Sequence, residues 1–320
     1  MRGREVRVRF VVMGAGAVGG YVGAKLWQAG EDVTFIARGA HLEGIRPEGL
    51  RVPGPLGDCA ARAPAVSDPA GLGPAHVVLF TVKGYDTEEA LARLGPVVGT
   101  ETVVLTLQNG VDGIDRIAQV TGPDAVLGGC IYLATSLAGP GVIQQTGHHR
   151  RIVFGEVFGQ RTTVSDRVSR IAGALQRAGF TVEPVADARV PLWEKFAYLA
   201  PMAGFTAAAR SRKGTLWAQP GFRAHFRRAL AEMERIAAAS EARLPDDLAS
   251  RILTYADDVS PDMRTSMLID IAQGKRLEVE WLLGSAIRRA AEAGVDAPIL
   301  ETLYHVLKPH EGGVPAGGER

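Results

Sequence analysis

Three glycines spaced as Gly14-x-Gly16-x-x-Gly19 carry the clearest chemical signal in the chain. They follow a β-branched run, Val6 to Val12, and precede a stretch of helical composition, Gly20 to Ala29, that Gly30 stops. Between a strand and a helix this spacing suits a dinucleotide. Gly14 permits the tight turn, Gly16 lets a pyrophosphate approach the backbone, and Gly19 lets the helix sit close to the sheet. Free N–H groups at the helix start supply the anion site, and Ala15, Ala17 and Val18 complete the turn. The plain alternative is glycine used only for packing. Asp32 to Ala37 reads as the next strand, ending Ile36-Ala37-Arg38-Gly39. A carboxylate at that end would hydrogen-bond the adenine ribose of NAD and repel the extra phosphate of NADP, whereas the fork of donors on Arg38 matches a 2′-phosphate. No Asp or Glu lies between Asp32 and Glu43. The expected cofactor is therefore NADP(H), the other reading of Arg38 being an ordinary surface arginine.

Other chemistries lack their signatures. Gly-x-Ser-x-Gly and the phosphate-loop Gly-Lys-Ser/Thr are absent, which removes the usual grounds for a serine hydrolase or an ATPase. His148 and His149 are adjacent, so they diverge on a strand or a helix, and His41, His76, His225 and His305 have no motif-spaced companions; no metal site is expected. Arg210, Arg212 and Lys213 form a small cationic cluster that either guides an anionic substrate or is a solvated surface.

The elements around the glycine turn form the opening of a parallel sheet. His76 to Val82 and Thr102 to Leu107 are apolar enough to be strands covered on both faces. Asp86-Thr87-Glu88-Glu89 resembles a helix cap leading into Ala90 to Leu94, and Asp112 and Asp115 repeat the spacing before Ile117. Val126 to Phe158 holds short β-rich pieces around Gly139-Pro140-Gly141, which predicts partly antiparallel strands. A helix is expected over Thr163 to Ala178 and a last strand over Phe180 to Val185. Beyond Asp187 the texture changes. Leu192 to Ala209, Phe222 to Ala242, Leu244 to Tyr255, Arg264 to Ile271 and Leu277 to Ala293 all suit helices with one apolar face. The expected organisation is an α/β nucleotide-binding domain over 1–187, an all-helical domain over 188–307 and a frayed polar tail over 308–320.

Composition agrees with this picture. The 320 residues suit two domains of about 100 to 200 residues each. Apolar residues make up 46% of the chain, and 36 Lys plus Arg nearly cancel 35 Asp plus Glu, so global disorder and bulk attraction to nucleic acid are not expected, while small anions remain suitable ligands. Cys59 and Cys130 fit neither a disulfide framework nor a zinc site, which makes a reducing cytoplasm the default compartment. The most apolar later stretch, Phe196 to Ala209, is too short to span a bilayer and contains Pro201. No membrane partner is expected.

Six motifs in order resemble the ketopantoate reductase (2-dehydropantoate 2-reductase) family: Gly14-Ala-Gly-Ala-Val-Gly19, Thr81-Val-Lys83, Gln108-Asn109-Gly110, Leu192-Trp-Glu-Lys195-Phe, Ser266-Met-Leu, and Gly274-Lys-Arg-Leu-Glu278-Val-Glu280. The resemblance covers essentially the whole chain. It implies a Rossmann domain followed by an all-helical domain of the 6-phosphogluconate dehydrogenase C-terminal type, and NADPH-dependent reduction of a small anionic 2-oxo acid in pantothenate biosynthesis. It also implies that the catalytic residues are Lys195, the lysine at the ketone oxygen, and Glu278, the carboxylate that binds a substrate hydroxyl and helps hold Lys195, with Glu280 in second place. Asn109 would bridge cofactor and substrate, Lys83 would support the cofactor phosphates or the substrate, and Ser266 would hold the substrate carboxylate. Each has a plain counterpart: a snorkelling lysine, a surface glutamate, an Asn-Gly turn, a self-satisfied helical serine. A homodimer through leftover apolar faces of the helical domain is a further expectation.

The chain also departs from its resemblance. Where relatives usually carry asparagines four and eight residues after the lysine stand Leu199 and Ala203; Leu283 replaces another asparagine, and Leu277 a threonine. A pocket that loses donors for a hydroxyl loses discrimination for it, because hydrogen-bonded recognition is far more selective than a methylene contact. A related 2-oxo acid, or a 3-hydroxy acid oxidised in reverse, competes with ketopantoate as substrate. A nucleotide sensor without turnover is a third reading, one that would need neither Lys195 nor Glu278.

Overall fold

Parallel strands covered on both sides are mostly apolar, and four short runs have that character: β1 (Arg9–Met13), β2 (Asp32–Ile36), and, after β3 (Leu50–Val52), β4 (Cys59–Ala61) and β5 (Ala65–Val66), β6 (Val77–Phe80) and β7 (Val103–Thr106). Phe10, Val11, Val12, Val78, Leu79, Phe80, Val104 and Leu105 have no exposed surface. The computed structural model describes residues 7–240 and 244–314. Among them, ten strands form one sheet in the order β4-β3-β9-β8-β7-β6-β1-β2-β5, completed by β8 (Val126–Gly139), β9 (Val142–Glu156) and β10 (Thr181–Asp187), the last pairing with β9. Strands β5, β2, β1, β6, β7 and β8 are mutually parallel; β8 and β9 form a long antiparallel hairpin. The β-rich pieces expected over 126–158 are thus two long strands joined at Pro140 and Gly141.

Register fixes where the motifs emerge. Met13 lies opposite both Ile36 and Phe80, and Phe80 lies opposite Thr106, so β1, β2, β6 and β7 end at one edge of the sheet. The glycine turn, Arg38, Thr81 to Lys83 and Gln108 all follow those ends. Chain order reverses at β1, whose neighbours are β2 and β6, and ligands of open α/β sheets bind at such a switch point. Helices α1 (Ala17–Gln28), α2 (Gly39–Ile45), α3 (Thr87–Leu91), α4 (Asp112–Thr121) and α5 (Asp166–Arg177) connect the strands. Ser165 caps α5, its Oγ accepting the Val168 N–H.

The chain divides into two compact units, Met1–Gln108 with Gly113–Arg189, and Asn109–Asp112 with Val190–Arg320. The second is helical: α6 (Arg189–Ala208), α7 (Lys213–Trp217), α8 (Phe222–Ala238), α9 (Leu248–Asp258), α10 (Ser266–Ala272), α11 (Ser285–Ala293) and α12 (Pro298–Leu307). Among the described residues no helix is long and apolar enough to cross a membrane.

Four expectations need correction. Residues 109–112 group with the helical unit, although they lie within the stretch expected to be the nucleotide-binding domain. Leu277 to Ala293 is not one regular helix, because Glu280–Gly284 forms a π-turn ahead of α11. Short α7 and α12 had no counterpart in the sequence reading. The tail does not fray at 308: Lys308–His310 form a 3-10 turn, the Leu277 N–H donates to Glu311 O (2.9 Å) and the Val314 N–H to Gly274 O (3.1 Å). Those backbone groups find partners in the loop before the π-turn, which fixes a polar segment that composition alone reads as loose. Residues 315–320 lie outside the described residues.

Candidate active site and nucleotide site

In the first unit the glycine turn is held from below and left open above. Gly14 has φ +98°, a conformation that costs a residue with a Cβ about 1–2 kcal/mol. A Cβ on Gly19 would lie 2.1 Å from Thr81 Oγ1 and 2.3 Å from Gly14 O. Thr81 uses that space to donate to Gly14 O (2.9 Å), so turn, helix and neighbouring strand end form one close contact. A Cβ on Gly16 would meet nothing within 4 Å. Gly16 is also the N-cap of α1, with no capping side chain and no acid in the first turn, so the helix start keeps its donors for an anion. Backbone this open, beside uncapped donors, fits a pyrophosphate and hence a dinucleotide cofactor. His41 steadies the turn, its Nε2 bonding Ala15 O (2.8 Å) while its Nδ1 accepts from the Gly141 N–H (3.2 Å). Gln108, buried, donates to Val82 O (3.0 Å) and Thr87 Oγ1 (2.9 Å) and ties the ends of β6 and β7 together.

Arg38 follows β2 as the N-cap of α2. Its Nη1 donates to Glu89 Oε2 (2.6 Å) and its Nη2 to Asp86 Oδ2 (3.1 Å). The Glu89 hydrogen bond, more than the charge of Asp86, raises the Arg38 pKa. Asp86, expected as a helix cap, makes no side-chain cap for α3; Arg38 claims its carboxylate instead. Lys83, half-buried, caps the turn Gly84–Asp86 with extended backbone at the same sheet edge.

In the second unit Lys195 projects from α6, half-buried, and its Nζ donates to Asn109 Oδ1 at 2.9 Å. Asn109 is fixed in turn, since Trp281 Nε1 donates to its backbone carbonyl at 2.6 Å. Three residues on, Asp112 pins the segment. Its carboxylate accepts from Ser285 Oγ (2.7 Å), Arg289 Nη2 (2.9 Å) and Arg288 Nη2 (3.2 Å). Arg289 also lies over the Trp193 ring, 5.6 Å from its centroid and two residues from Lys195. An ammonium held by an amide oxygen is placed as a positive charge facing a developing oxyanion would be.

Glu278 is 8% exposed and sits just ahead of the π-turn, a distortion often found at functional sites. Glu280 has different company: Arg288 (2.8 Å), Tyr304 and Lys308. Burial pushes its carboxyl up, but the bonds from Lys308, Tyr304 and Arg288 prevail and hold it below the usual range. Ser266 is the exposed first residue of α10, whose cap is Thr265, itself bonded to Thr206 (2.8 Å). Tyr198, one turn past Lys195, buries its hydroxyl without a hydrogen-bond partner among the described residues, and burial drives its pKa up. Of the apolar replacements, Ala203, Leu277 and Leu283 are buried, while Leu199, one turn from Lys195, keeps exposed surface.

The cationic cluster of Arg210, Arg212 and Lys213 disperses. Arg212 pairs with Asp262, and buried Lys213 donates to the carbonyls of Asp257 (3.3 Å) and Val259 (3.0 Å), leaving exposed Arg210. Among the described residues no three His, Cys, Asp or Glu side chains gather as metal ligands would. Thr81, Gln108, His41 and Trp281 have no site role from sequence, and Asp86, Glu89 and Asp112 read there only as parts of helix caps. Thr81 and Gln108 lie inside quoted motifs; the partners of the others are distant in the chain.

The profile of the ketopantoate reductase PanE/ApbA family matches residues 10–159, and that of its C-terminal part residues 187–311. A 2-dehydropantoate 2-reductase of Archaeoglobus fulgidus is 33% identical over 306 residues, 96% of this chain and 99% of the relative. One from Nostoc sp. is 30% identical over 303 residues, 94% of each. The crystal structure of a PanE/ApbA family ketopantoate reductase from Ralstonia eutropha superposes with a TM-score of 0.85 at 31% identity, covering 95% of this chain and 98% of that one.

Proposed function

The chain belongs to the ketopantoate reductase family, and from that premise we propose that it reduces 2-dehydropantoate to pantoate with NADPH, Lys195 acting as general acid. The observation that carries this is the 2.9 Å bond from Lys195 Nζ to Asn109 Oδ1. A bound nicotinamide would supply hydride to the carbonyl carbon, so that negative charge develops on the carbonyl oxygen. Lys195 meets that oxygen with a positive charge, stabilises it more as alkoxide than as ketone, and gives up a proton to it. Water then restores the ammonium. Asn109 orients Lys195 before the reaction. Glu278 would accept a hydrogen bond from the substrate hydroxyl, and Ser266 would donate to its carboxylate. In the Rossmann unit, Gly14 to Gly19 would cradle the pyrophosphate, Lys83 would add positive charge for the phosphates and Arg38 would take the 2′-phosphate. The helical unit is of the 6-phosphogluconate dehydrogenase C-terminal type in this reading, and two copies form a dimer through it in the cytoplasm.

A second reading has its own observation. Leu199 offers apolar surface one turn from Lys195, and Ala203 and Leu283 bring no donors. That favours a 2-oxo acid with fewer hydroxyls, or the matching hydroxy acid oxidised in reverse. NADPH oxidation measured with ketopantoate beside 2-oxo acids bearing apolar side chains separates the two. The first reading expects the highest kcat/KM for ketopantoate; an apolar 2-oxo acid ahead by about 10-fold or more selects the second. Tight NADPH binding with no oxidation by any of them would mark a sensor.

A further inference from the structure

We propose that Asp86 and Glu89 temper the nucleotide preference of the Rossmann unit, holding Arg38 at the ribose end while opposing a 2′-phosphate there. This rests on Arg38 being the 2′-phosphate ligand. The usual determinant of preference is an acid or a base at the end of β2 itself. Here β2 ends in the base, and the acids arrive from the turn and helix after β6, Asp86 on Arg38 Nη2 at 3.1 Å and Glu89 on Nη1 at 2.6 Å. The strand-end rule, applied along the chain, does not see them.

The arrangement is neither an open phosphate site nor a closed one. Of the five N–H donors on a guanidinium, two are committed, so Arg38 can still bind an incoming anion. Yet one cation and two carboxylates leave the trio with one negative charge, and a 2′-phosphate brings about −1.5 to −2 more at neutral pH. Bare ribose meets no such opposition. Its hydroxyls are donors, and the two carboxylates are acceptors able to share them. Side chains of Arg38, Asp86 and Glu89 are 51%, 28% and 55% exposed, so solvent screens the effect to a modest size and salt weakens it further. The consequence is a site that takes the phosphorylated cofactor through Arg38 but selects it less strongly than Arg38 alone would.

Binding measured without hydride transfer tests this. Titration calorimetry of the full chain with adenosine 2′,5′-bisphosphate and with ADP compares the two ribose ends, using wild type, Asp86→Asn/Glu89→Gln, Glu89→Gln alone and Arg38→Ala. The double variant should bind the 2′,5′-bisphosphate about 3- to 10-fold more tightly with ADP affinity unchanged or lower, the single variant should move the same way by less, and added salt should shrink both gaps. Unchanged or weaker 2′,5′-bisphosphate binding by the double variant overturns the proposal. Arg38→Ala separates the two layers. If it leaves the 2′,5′-bisphosphate-to-ADP ratio intact, the NADP assignment fails and this proposal with it; if it collapses the ratio while the carboxylate variants do nothing, only this proposal fails.

Discussion

The glycine turn of the first unit and the Lys195 cluster of the second are built by opposite means. At the turn, backbone does the binding, and side chains serve by their absence at Gly14, Gly16 and Gly19 or by bracing the loop from Thr81 and His41. Around Lys195 side chains do everything: an amide accepts from the ammonium, an indole fixes the amide's backbone, and a carboxylate with two arginines and a serine fixes the segment. A backbone site tolerates almost no added atom but is indifferent to distant charge. A side-chain site tolerates shape changes at its rim but fails when its one reacting group is removed.

The sharpest way to break that contrast is Lys195→Ala. Loss of the proton donor and of the charge facing the alkoxide should lower kcat about a thousandfold, while NADPH affinity, owed to the other unit's backbone, stays within about twofold in a fluorescence titration. Turnover retained by the variant would remove Lys195 from the reaction. A matching fall in NADPH affinity would show that the division of labour is wrong.

Two glycine variants sharpen the other side and should be compared directly. Gly19→Ala places a methyl 2.1 Å from Thr81 Oγ1, an overpacking that costs about 1–3 kcal/mol, so both Tm and nucleotide affinity should fall. Gly16→Ala has ordinary φ of −70° and no neighbour within 4 Å. It should keep the wild-type Tm yet bind NADPH about 10-fold or more weakly, because the methyl stands where a pyrophosphate approaches the backbone. Undiminished binding by Gly16→Ala would mean that the phosphates lie elsewhere.

The same contrast explains how much the chain's residues disclose before folding. A strand, a glycine turn and a helix are adjacent in sequence, so the backbone site is legible within about thirty residues. The apolar runs that became β6 and β7 are equally local. What joins Lys195 to its surroundings is not: Asn109, Trp281 and Asp112 come from segments far from α6, and no periodicity relates them. Lys195 itself is marked in the sequence by Trp193-Glu194-Lys195-Phe196 and not by spacing. The missed partners of Arg38 show the same limit. Asp86 reads as a helix cap along the chain, and only the parallel pairing of β2, β1 and β6 gives it another employer. The π-turn at Glu280 and the docking of residues 308–314 are likewise products of tertiary context, which overrides local propensity.

Asp112→Asn is the smallest effect and tests whether the side-chain site reaches beyond the atoms that touch substrate. Asparagine keeps an oxygen for Ser285 and one arginine but loses the charge that gathers Arg288 and Arg289, so residues 109–112 should loosen without the helical unit unfolding. As Asn109 orients Lys195, looser anchoring should spread the ammonium over more positions and lower kcat about 3- to 10-fold, with NADPH affinity unchanged. Activity must be read beside Tm. A fall in kcat at a temperature far below the melting transition assigns Asp112 a positioning role, because lost stability alone does not slow a chain that remains folded. A lowered Tm with full kcat would confine Asp112 to holding the fold.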